Sequence, residues 1–260
     1  MKEVPGTDES TKIKSNVNYR VIAAIVVSSI VFQVFNSVSG PPDTFNIFVI
    51  IGIAGLAPCF ILSFVVAKRY RDSEVFGRAY LALAIAYLLY FVGDSIYYYY
   101  DFALQETPYP SIADLFYLAF EPFILYHLVK NIAYFKRRFD IPTIMWMAAM
   151  PIAIVASYAY LSYAEMGEFN FDFYYSMIFV TAASIPLPFA ILGTLVFRHS
   201  ILASIWSLLA LGISLNIFAD VWYYYLELFG QYTDSHPVYV FWIAGYAFVS
   251  YALIKHLKDI

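Results

Sequence analysis

The sequence predicts an all-α polytopic membrane protein with eight transmembrane helices in two similar four-helix halves. Three observations lead to this prediction: an apolar composition, eight apolar stretches of spanning length, and basic residues confined to one side of the resulting topology. Of the 260 residues, 62% are hydrophobic, 20% are aromatic and only 13% are charged. Because soluble domains carry about 25% charged residues, this composition indicates that the lipid bilayer covers much of the surface.

Each predicted span is close to the length of about 20 residues that a helix needs to cross the hydrocarbon core. Hydropathy and periodicity place the spans at residues 21–38, 46–67, 77–100, 112–134, 142–162, 172–197, 201–226 and 238–256. The fifth span is the weakest, because it is rich in Ala and Tyr and has Pro151 in its middle. Neighbouring helices can satisfy the carbonyl that a proline frees, so we keep this segment as a span.

The basic residues flank the spans on one side only. The flanking residues include Lys12, Lys14, Arg20, Lys68, Arg69, Arg71, Arg78, Lys136, Arg137, Arg138, Arg198, Lys255 and Lys258. The opposite loops contain Asp43, Asp101, Glu106, Glu165, Glu168, Glu227 and Asp234, and no Lys or Arg. By the positive-inside rule both termini are cytoplasmic, as expected of a multi-pass protein of the cell membrane. A missed or extra helix would destroy this alternation, which supports the count of eight.

We divide the chain into a tail and two membrane halves. Residues 1–20 are polar and mixed in charge, so we expect a disordered cytoplasmic tail. Residues 21–134 and 135–260 form the two four-helix halves. The loops are short and the chain stops soon after the eighth span, so we expect no output domain outside the bilayer. The small residues at 37–40 also permit an alternative in which the first span is a cleaved signal peptide.

An internal repeat supports the division into halves. The segment GDSIYYYYDFALQET (93–107) aligns without gaps to ADVWYYYLELFGQYT (219–233), with six identities in 15 positions. The chain has 25 tyrosines, which match by chance, so the pairs Asp94/Asp220, Gln105/Gln231 and Thr107/Thr233 carry the argument. The alignment maps span three onto span seven and span four onto span eight. It predicts a parallel repeat related by an axis along the membrane normal.

Three acidic residues are predicted inside the membrane. From the rise per residue of a helix, Glu121 lies about 14 Å from the start of its span, near the middle of a hydrocarbon core about 30 Å thick. Asp94 and Asp220 lie roughly 9 Å from the outer ends of their spans. Asn216, one turn before Asp220, lies on the same helix face. These residues are candidates for a ligand-, proton- or cation-binding site.

The chain offers these acids no cationic partner. Residues 79–126, 139–197 and 200–235 contain no Lys, Arg or His. An unpaired carboxylate in hydrocarbon is so unfavourable that the group normally takes up a proton. The acids must therefore be protonated, reached by water, or paired with a cation or cationic ligand from elsewhere. Two interpretations remain open: a functional site, or protonated side chains that tie helices together by hydrogen bonds.

Asp114 and the tyrosine runs each have a structural explanation beside the functional one. Ser111 and Asp114 have the spacing of a capping box at the start of span four, which needs no ligand. The tyrosines at 97–100 and 223–225 fall where aromatic residues line the membrane interface. One or two of them, with Tyr97 and Tyr223 as candidates, could instead face inward and bind a buried carboxylate.

Other chemistry finds little support. The four histidines lie on both sides of the membrane, so no zinc or haem site is indicated and the cofactor stays unknown. We expect His199 and His256 to be solvated. There is no Gly-rich phosphate loop and no nucleic-acid-binding patch.

The stretch GDSIYYYY…PYPSIADLFYLAFEPF, residues 93–122, resembles the multi-pass membrane regions that precede the catalytic domain of many bacterial diguanylate cyclases. Those regions carry Gly-Asp in one helix and Pro-Ser-x-Ala-Asp-x-Phe/Tyr-Tyr-Leu at the start of the next. The resemblance implies a membrane sensor module. We expect no cyclase domain after Ile260, so the resemblance also implies that the signal passes to a separate cytoplasmic signalling partner.

The chain is also similar to the lysoplasmalogenase family in having eight spans, a Gly-Asp in the third helix and an Asp late in the chain. That resemblance implies an intramembrane lipid hydrolase with Asp94 and Asp220 as its two acids. Three functions therefore remain: a ligand-binding sensor module, which the longer motif favours, a lysoplasmalogenase-like hydrolase, and a proton- or cation-coupled transporter.

Overall fold

The structure, a computed structural model, describes residues 17–38, 47–106, 109–136, 138–233 and 235–259. Within these residues the chain forms helices and short connections, with no strand. The helices are α1 (Tyr19–Val38), α2 (Ile47–Arg69), α3 (Phe76–Tyr98), α4 (Ile112–Phe135), α5 (Ile141–Met166), α6 (Phe171–Ser184), α7 (Pro186–Phe197), α8 (Ala203–Leu228) and α9 (Tyr239–Asp259). A π-helical turn, Tyr99–Leu104, extends α3. Residues 1–16 of the predicted tail, Asp43, Thr107, Arg137 and Asp234 lie outside the described residues.

Eight helical segments are long and apolar enough to cross a membrane. This confirms the all-α class and the count of eight within the described part of the chain. The sixth segment is built from α6 and α7, which are separated at Ile185. Pro186 lacks the N–H that would continue the hydrogen-bond ladder of α6, which explains the separation. By contrast α5 runs through Pro151 without interruption, as the sequence predicted for this span.

The two ends of the helix bundle differ in charge. We call the end with residues 105–106, 109–111, 167–170, 229–233 and 235–238 the acidic end. The other end, with residues 70–75, 136, 138–140 and 198–202, is the basic end. The predicted topology places the basic end in the cytoplasm.

A close-packed core fills the half of the bundle near the basic end. The indole ring of Trp206 on α8 stacks on Phe197 of α7 with the ring centroids 4.4 Å apart. Both side chains are almost fully buried. The helix α5 lies at the periphery, because Tyr158 and Ser162 are the buried residues of its described length. Lipid is therefore expected to cover most of α5.

The prediction that His256 is solvated was wrong. Its side chain is 1% exposed, and its Nδ1 lies 3.2 Å from the hydroxyl oxygen of Tyr80. The sequence placed His256 at the end of the last span, but α9 continues for three more residues and keeps this turn inside the bundle. His127 is also fully buried, with Nδ1 2.9 Å from the carbonyl oxygen of Ala79.

Candidate functional site

A cavity of about 440 Å³ enters the bundle from the acidic end, chiefly between α3, α4, α6, α8 and α9. Its carboxylic side chains are Asp94, Asp114, Glu121, Asp172, Asp220 and Glu227. Its tyrosines are Tyr90, Tyr97, Tyr98, Tyr109, Tyr117, Tyr158, Tyr175, Tyr223, Tyr224, Tyr232, Tyr239 and Tyr246. Among the described residues, those that line the cavity include no Lys, Arg or His. The cavity is therefore acidic and aromatic.

The structure brings most of the predicted site residues to this one cavity. Asp94, Asp114, Glu121, Asp220, Tyr97 and Tyr223 all line it. Asn216 is the exception among the candidates, since it is buried and does not contribute to the wall. Its Oδ1 accepts a hydrogen bond from the Tyr87 hydroxyl at 3.2 Å, and its Nδ2 donates one to the carbonyl oxygen of Trp242 at 3.2 Å. Asn216 therefore joins α3, α8 and α9.

Asp114 serves as a helix cap and lines the cavity as well. The predicted capping box is present: the Ala113 N–H donates to Ser111 Oγ at 3.1 Å, and the Ser111 N–H donates to Asp114 Oδ2 at 2.6 Å. Tyr175 of α6 lines the same cavity as Asp114. The structural interpretation of Asp114 is thus confirmed, and the cap places its carboxyl group near the cavity mouth.

Asp94 is held by a tyrosine from the next helix. The Tyr117 hydroxyl of α4 donates to Asp94 Oδ1 at 2.8 Å. The ring of Tyr117 lies against the backbone of Gly93, where a Cβ atom would come within 2.8 Å of Tyr117 Cε1. The glycine of the Gly-Asp pair therefore makes room for the side chain that binds the aspartate.

Asp220 is held by two donors from two other helices. The Tyr90 hydroxyl of α3 donates to its Oδ1 at 2.9 Å, and Trp242 Nε1 of α9 donates to the same oxygen at 2.7 Å. These bonds connect α8 to α3 and α9, so Asp220 has the geometry expected of a helix tie. Its side chain still lines the cavity, and its Oδ2 is not engaged by these two donors.

Glu121 differs from the two aspartates. It is 8% exposed, it lines the inner part of the cavity, and its Oε2 has no hydrogen-bond partner among the described residues. Buried polar atoms are normally hydrogen-bonded, and each exception requires an explanation. The helix-tie interpretation does not supply one for this oxygen.

The tyrosine runs divide between the cavity and the lipid. Tyr97, Tyr98, Tyr223 and Tyr224 line the cavity. Tyr99 is 59% exposed and points away from the cavity wall, as the interface interpretation requires. Successive residues of a helix are about 100° apart, so a run of tyrosines has to cover both surfaces.

At the mouth, Tyr109 donates a hydrogen bond to Asp172 Oδ1 at 3.1 Å. Partial burial, and then this hydrogen bond and the carboxylate charge, raise the pKa of Tyr109 above its ordinary value. The hydroxyl therefore remains a donor at neutral pH. It links the loop before α4 to the first turn of α6.

The sequence interpretation missed several wall residues, of which Tyr90, Tyr117 and Trp242 matter most because they bind the aspartates. A periodic signal for some of them was present. On α4, Tyr117 and Glu121 follow Asp114 by three and seven residues, so the three side chains share one helix face. No pattern within a single helix could have indicated Trp242, since its partner lies on α8.

No protein family model, no curated protein and no solved structure matches this chain. Within the described residues, no group of three or more His, Cys, Asp or Glu side chains has the arrangement of a metal site. The cavity geometry therefore carries the functional argument. It offers carboxyl oxygens as acceptors, tyrosine hydroxyls as donors, and aromatic rings as walls.

We expect Gly93→Ala to destabilise the protein by about 1–3 kcal/mol, the usual cost of overpacking. The new methyl group would displace the Tyr117 ring and so break its hydrogen bond to Asp94. Thermal unfolding of the purified protein in detergent measures the effect.

Gly55→Ala is the matched control, because its Cβ would lie at an ordinary 3.7 Å from Tyr246 Cδ2. Alanine has the higher helix propensity, so this variant should be as stable as the wild type or slightly more stable. Equal stability of the two variants would contradict the proposed close approach at Gly93.

Proposed function

We propose that this chain is an integral membrane ligand-binding sensor module whose ligand occupies the acidic cavity. The unpartnered Glu121 Oε2 at the inner part of that cavity is the observation that supports it most. A buried hydrogen-bond acceptor that has no donor in the described structure suggests that a ligand supplies the donor. In this proposal the protein lies in the cell membrane with both termini in the cytoplasm, and the cavity opens to the outside.

The packing below Glu121 supports binding rather than passage through the membrane. The next residues toward the basic end belong to the close-packed core: Ile124, Leu128, Tyr87 and Leu83 are each at most 1% exposed. Described residues of the basic end do not contribute to the cavity wall. A transporter would have to open this core to the other side, so we rank the transporter below the sensor.

A ligand in this cavity would contact helices that run the length of the bundle. Asp94, Glu121 and Asp220 lie on α3, α4 and α8, so a ligand that binds them together favours one arrangement of these helices. The change would reach the basic end, where we place a cytoplasmic signalling partner. Photocrosslinking from Arg71 in cells tests for that partner, and its yield should change in Glu121→Gln.

The two-halves proposal gains support from the aspartates. Asp94 accepts from an aromatic side chain 23 residues later, and Asp220 accepts from one 22 residues later. In both cases the donor lies on the following spanning helix. We therefore propose that α3 and α4 correspond to α8 and α9, as the aligned segments predict.

Cysteine accessibility tests whether the cavity is open to the outside. Cys59 is the single cysteine and is buried, so Cys59→Ala provides the background. Ser176 lines the cavity, and Ser176→Cys should react with a membrane-impermeant methanethiosulfonate applied to intact cells. Ser184→Cys, two helical turns further along α6 and fully buried, is the matched control and should not react.

The possible results separate the parts of the proposal. Reaction of Ser176→Cys in inside-out vesicles but not in intact cells would reverse the proposed orientation. Absence of reaction from both sides would exclude a solvent-accessible binding cavity, and the proposed function would fail.

The hydrolase remains the second candidate, because Asp94 and Asp220 face the same cavity, as a general acid and base must. Both already accept hydrogen bonds from aromatic donors. Turnover of a vinyl-ether lysolipid by the purified protein, and its loss in Asp94→Asn, would favour this candidate over the sensor.

A further inference from the structure

We infer that the ligand of the cavity is a protonated organic amine, whose ammonium group lies between Asp94, Glu121 and Asp220 and donates a hydrogen bond to Glu121 Oε2. This inference rests on the proposed binding function and names its ligand class. It follows from the charge of the cavity, the unpartnered oxygen, and the size and nature of the walls.

The composition of the cavity favours a cationic ligand. Asp94, Glu121 and Asp220, on α3, α4 and α8, line the same cavity. No Lys, Arg or His of the described chain lines the cavity to compensate them. A ligand with a positive charge would be attracted by three carboxyl groups at once, whereas an anion would be repelled.

The pattern of hydrogen bonds in the site indicates that the cation carries N–H donors. The Tyr90, Trp242 and Tyr117 donors bind the Oδ1 atoms of the two aspartates and do not reach Glu121. Glu121 Oε2 is left as a buried acceptor with no partner in the described structure. A primary ammonium group has three N–H donors and can serve Glu121 and an aspartate Oδ2 together. A quaternary ammonium group has none.

The size and the aromatic lining of the cavity favour an organic ligand over a metal ion. A volume of 440 Å³ lies in the range of about 300–1,000 Å³ typical of small-molecule pockets and is far larger than a metal ion. The described residues also offer no cluster of metal ligands. Tyrosine rings such as Tyr98, Tyr224 and Tyr246 surround the space, and aromatic faces attract ammonium groups and cover hydrocarbon.

Ligand-dependent thermal stability of the purified full chain tests the inference. The probe is n-butylammonium at a pH where the amine is charged. The comparison compounds are 1-butanol, which lacks the charge, tetramethylammonium, which lacks N–H donors, and Mg²⁺. We expect n-butylammonium to stabilise the wild type at lower concentrations than any of the three.

The carboxyl variants locate the effect. Glu121→Gln should raise the concentration needed for half-maximal stabilisation by about tenfold or more, since one charge-assisted hydrogen bond contributes about the 1.4 kcal/mol that corresponds to a factor of ten. Asp101→Asn is the matched control, because Asp101 follows Asp94 on the same span without lining the cavity. It should respond to n-butylammonium like the wild type.

Each result has a distinct consequence. Equal stabilisation by n-butylammonium and 1-butanol, or an unchanged response in Glu121→Gln, would overturn the amine. Stabilisation by Mg²⁺ alone, lost in Glu121→Gln, would overturn the amine while the cation-binding function stands. If no compound stabilises the protein although Ser176→Cys is labelled from outside, the amine inference fails and the cavity remains open and accessible.

Discussion

Glu121→Leu is expected to stabilise the ligand-free protein, and Asp220→Leu is expected to destabilise it, although both substitutions remove a carboxyl group from one cavity. Glu121 Oε2 is buried without a partner among the described residues, and leaving such a group unpaired costs about 1–3 kcal/mol. A leucine removes that cost. Asp220 accepts from Tyr90 and Trp242, so a leucine there leaves two donors without their acceptor, each at about 1–3 kcal/mol.

Thermal and denaturant unfolding of both variants in the same detergent measures the difference in sign. The functional interpretation adds a second expectation, because Glu121→Leu should gain stability and lose its response to n-butylammonium. Substitutions that stabilise a protein at its binding site commonly reduce its function. Destabilisation by Glu121→Leu comparable to that by Asp220→Leu would mean that Glu121 is a helix tie too, and the functional case would fall.

Gly212→Ala is expected to cost about 3 kcal/mol or more, toward the upper end of overpacking effects. At Gly212 of α8 a Cβ atom would lie 2.8 Å from the carbonyl oxygen of Gly245 and 2.8 Å from the Val249 nitrogen, both backbone atoms of α9. Backbone cannot rotate away as a side chain can, so the helices must separate. Small residues at such crossings let membrane helices approach closely.

The separation should also reach the cavity. Trp242 on α9 would move away from Asp220, so Gly212→Ala should weaken n-butylammonium stabilisation as well as overall stability. The Gly55→Ala control should show neither effect, because its Cβ meets only an ordinary contact. If Gly212→Ala unfolds like the wild type, α8 and α9 do not cross as closely as described.

The architecture could be predicted from the sequence because its causes are local. A helix in lipid satisfies its own backbone hydrogen bonds, so length and hydropathy alone identified the eight spans. The capping box at Ser111 and Asp114 is equally local, since it joins residues three apart. The burial of His256 could not be predicted in this way, because it depends on the helices around the last turn of α9.

For the candidate site, the sequence by itself determined which acids enter the membrane and that the chain encodes no cation beside them. Only the tertiary structure decided how the acids differ. Asp94 and Asp220 find donors on other helices, 22 to 130 residues away in the chain, whereas Glu121 Oε2 finds none in the described structure. Hydropathy acts residue by residue, but a hydrogen bond needs two atoms brought within about 3 Å, and the packing of α3, α4, α8 and α9 sets that distance.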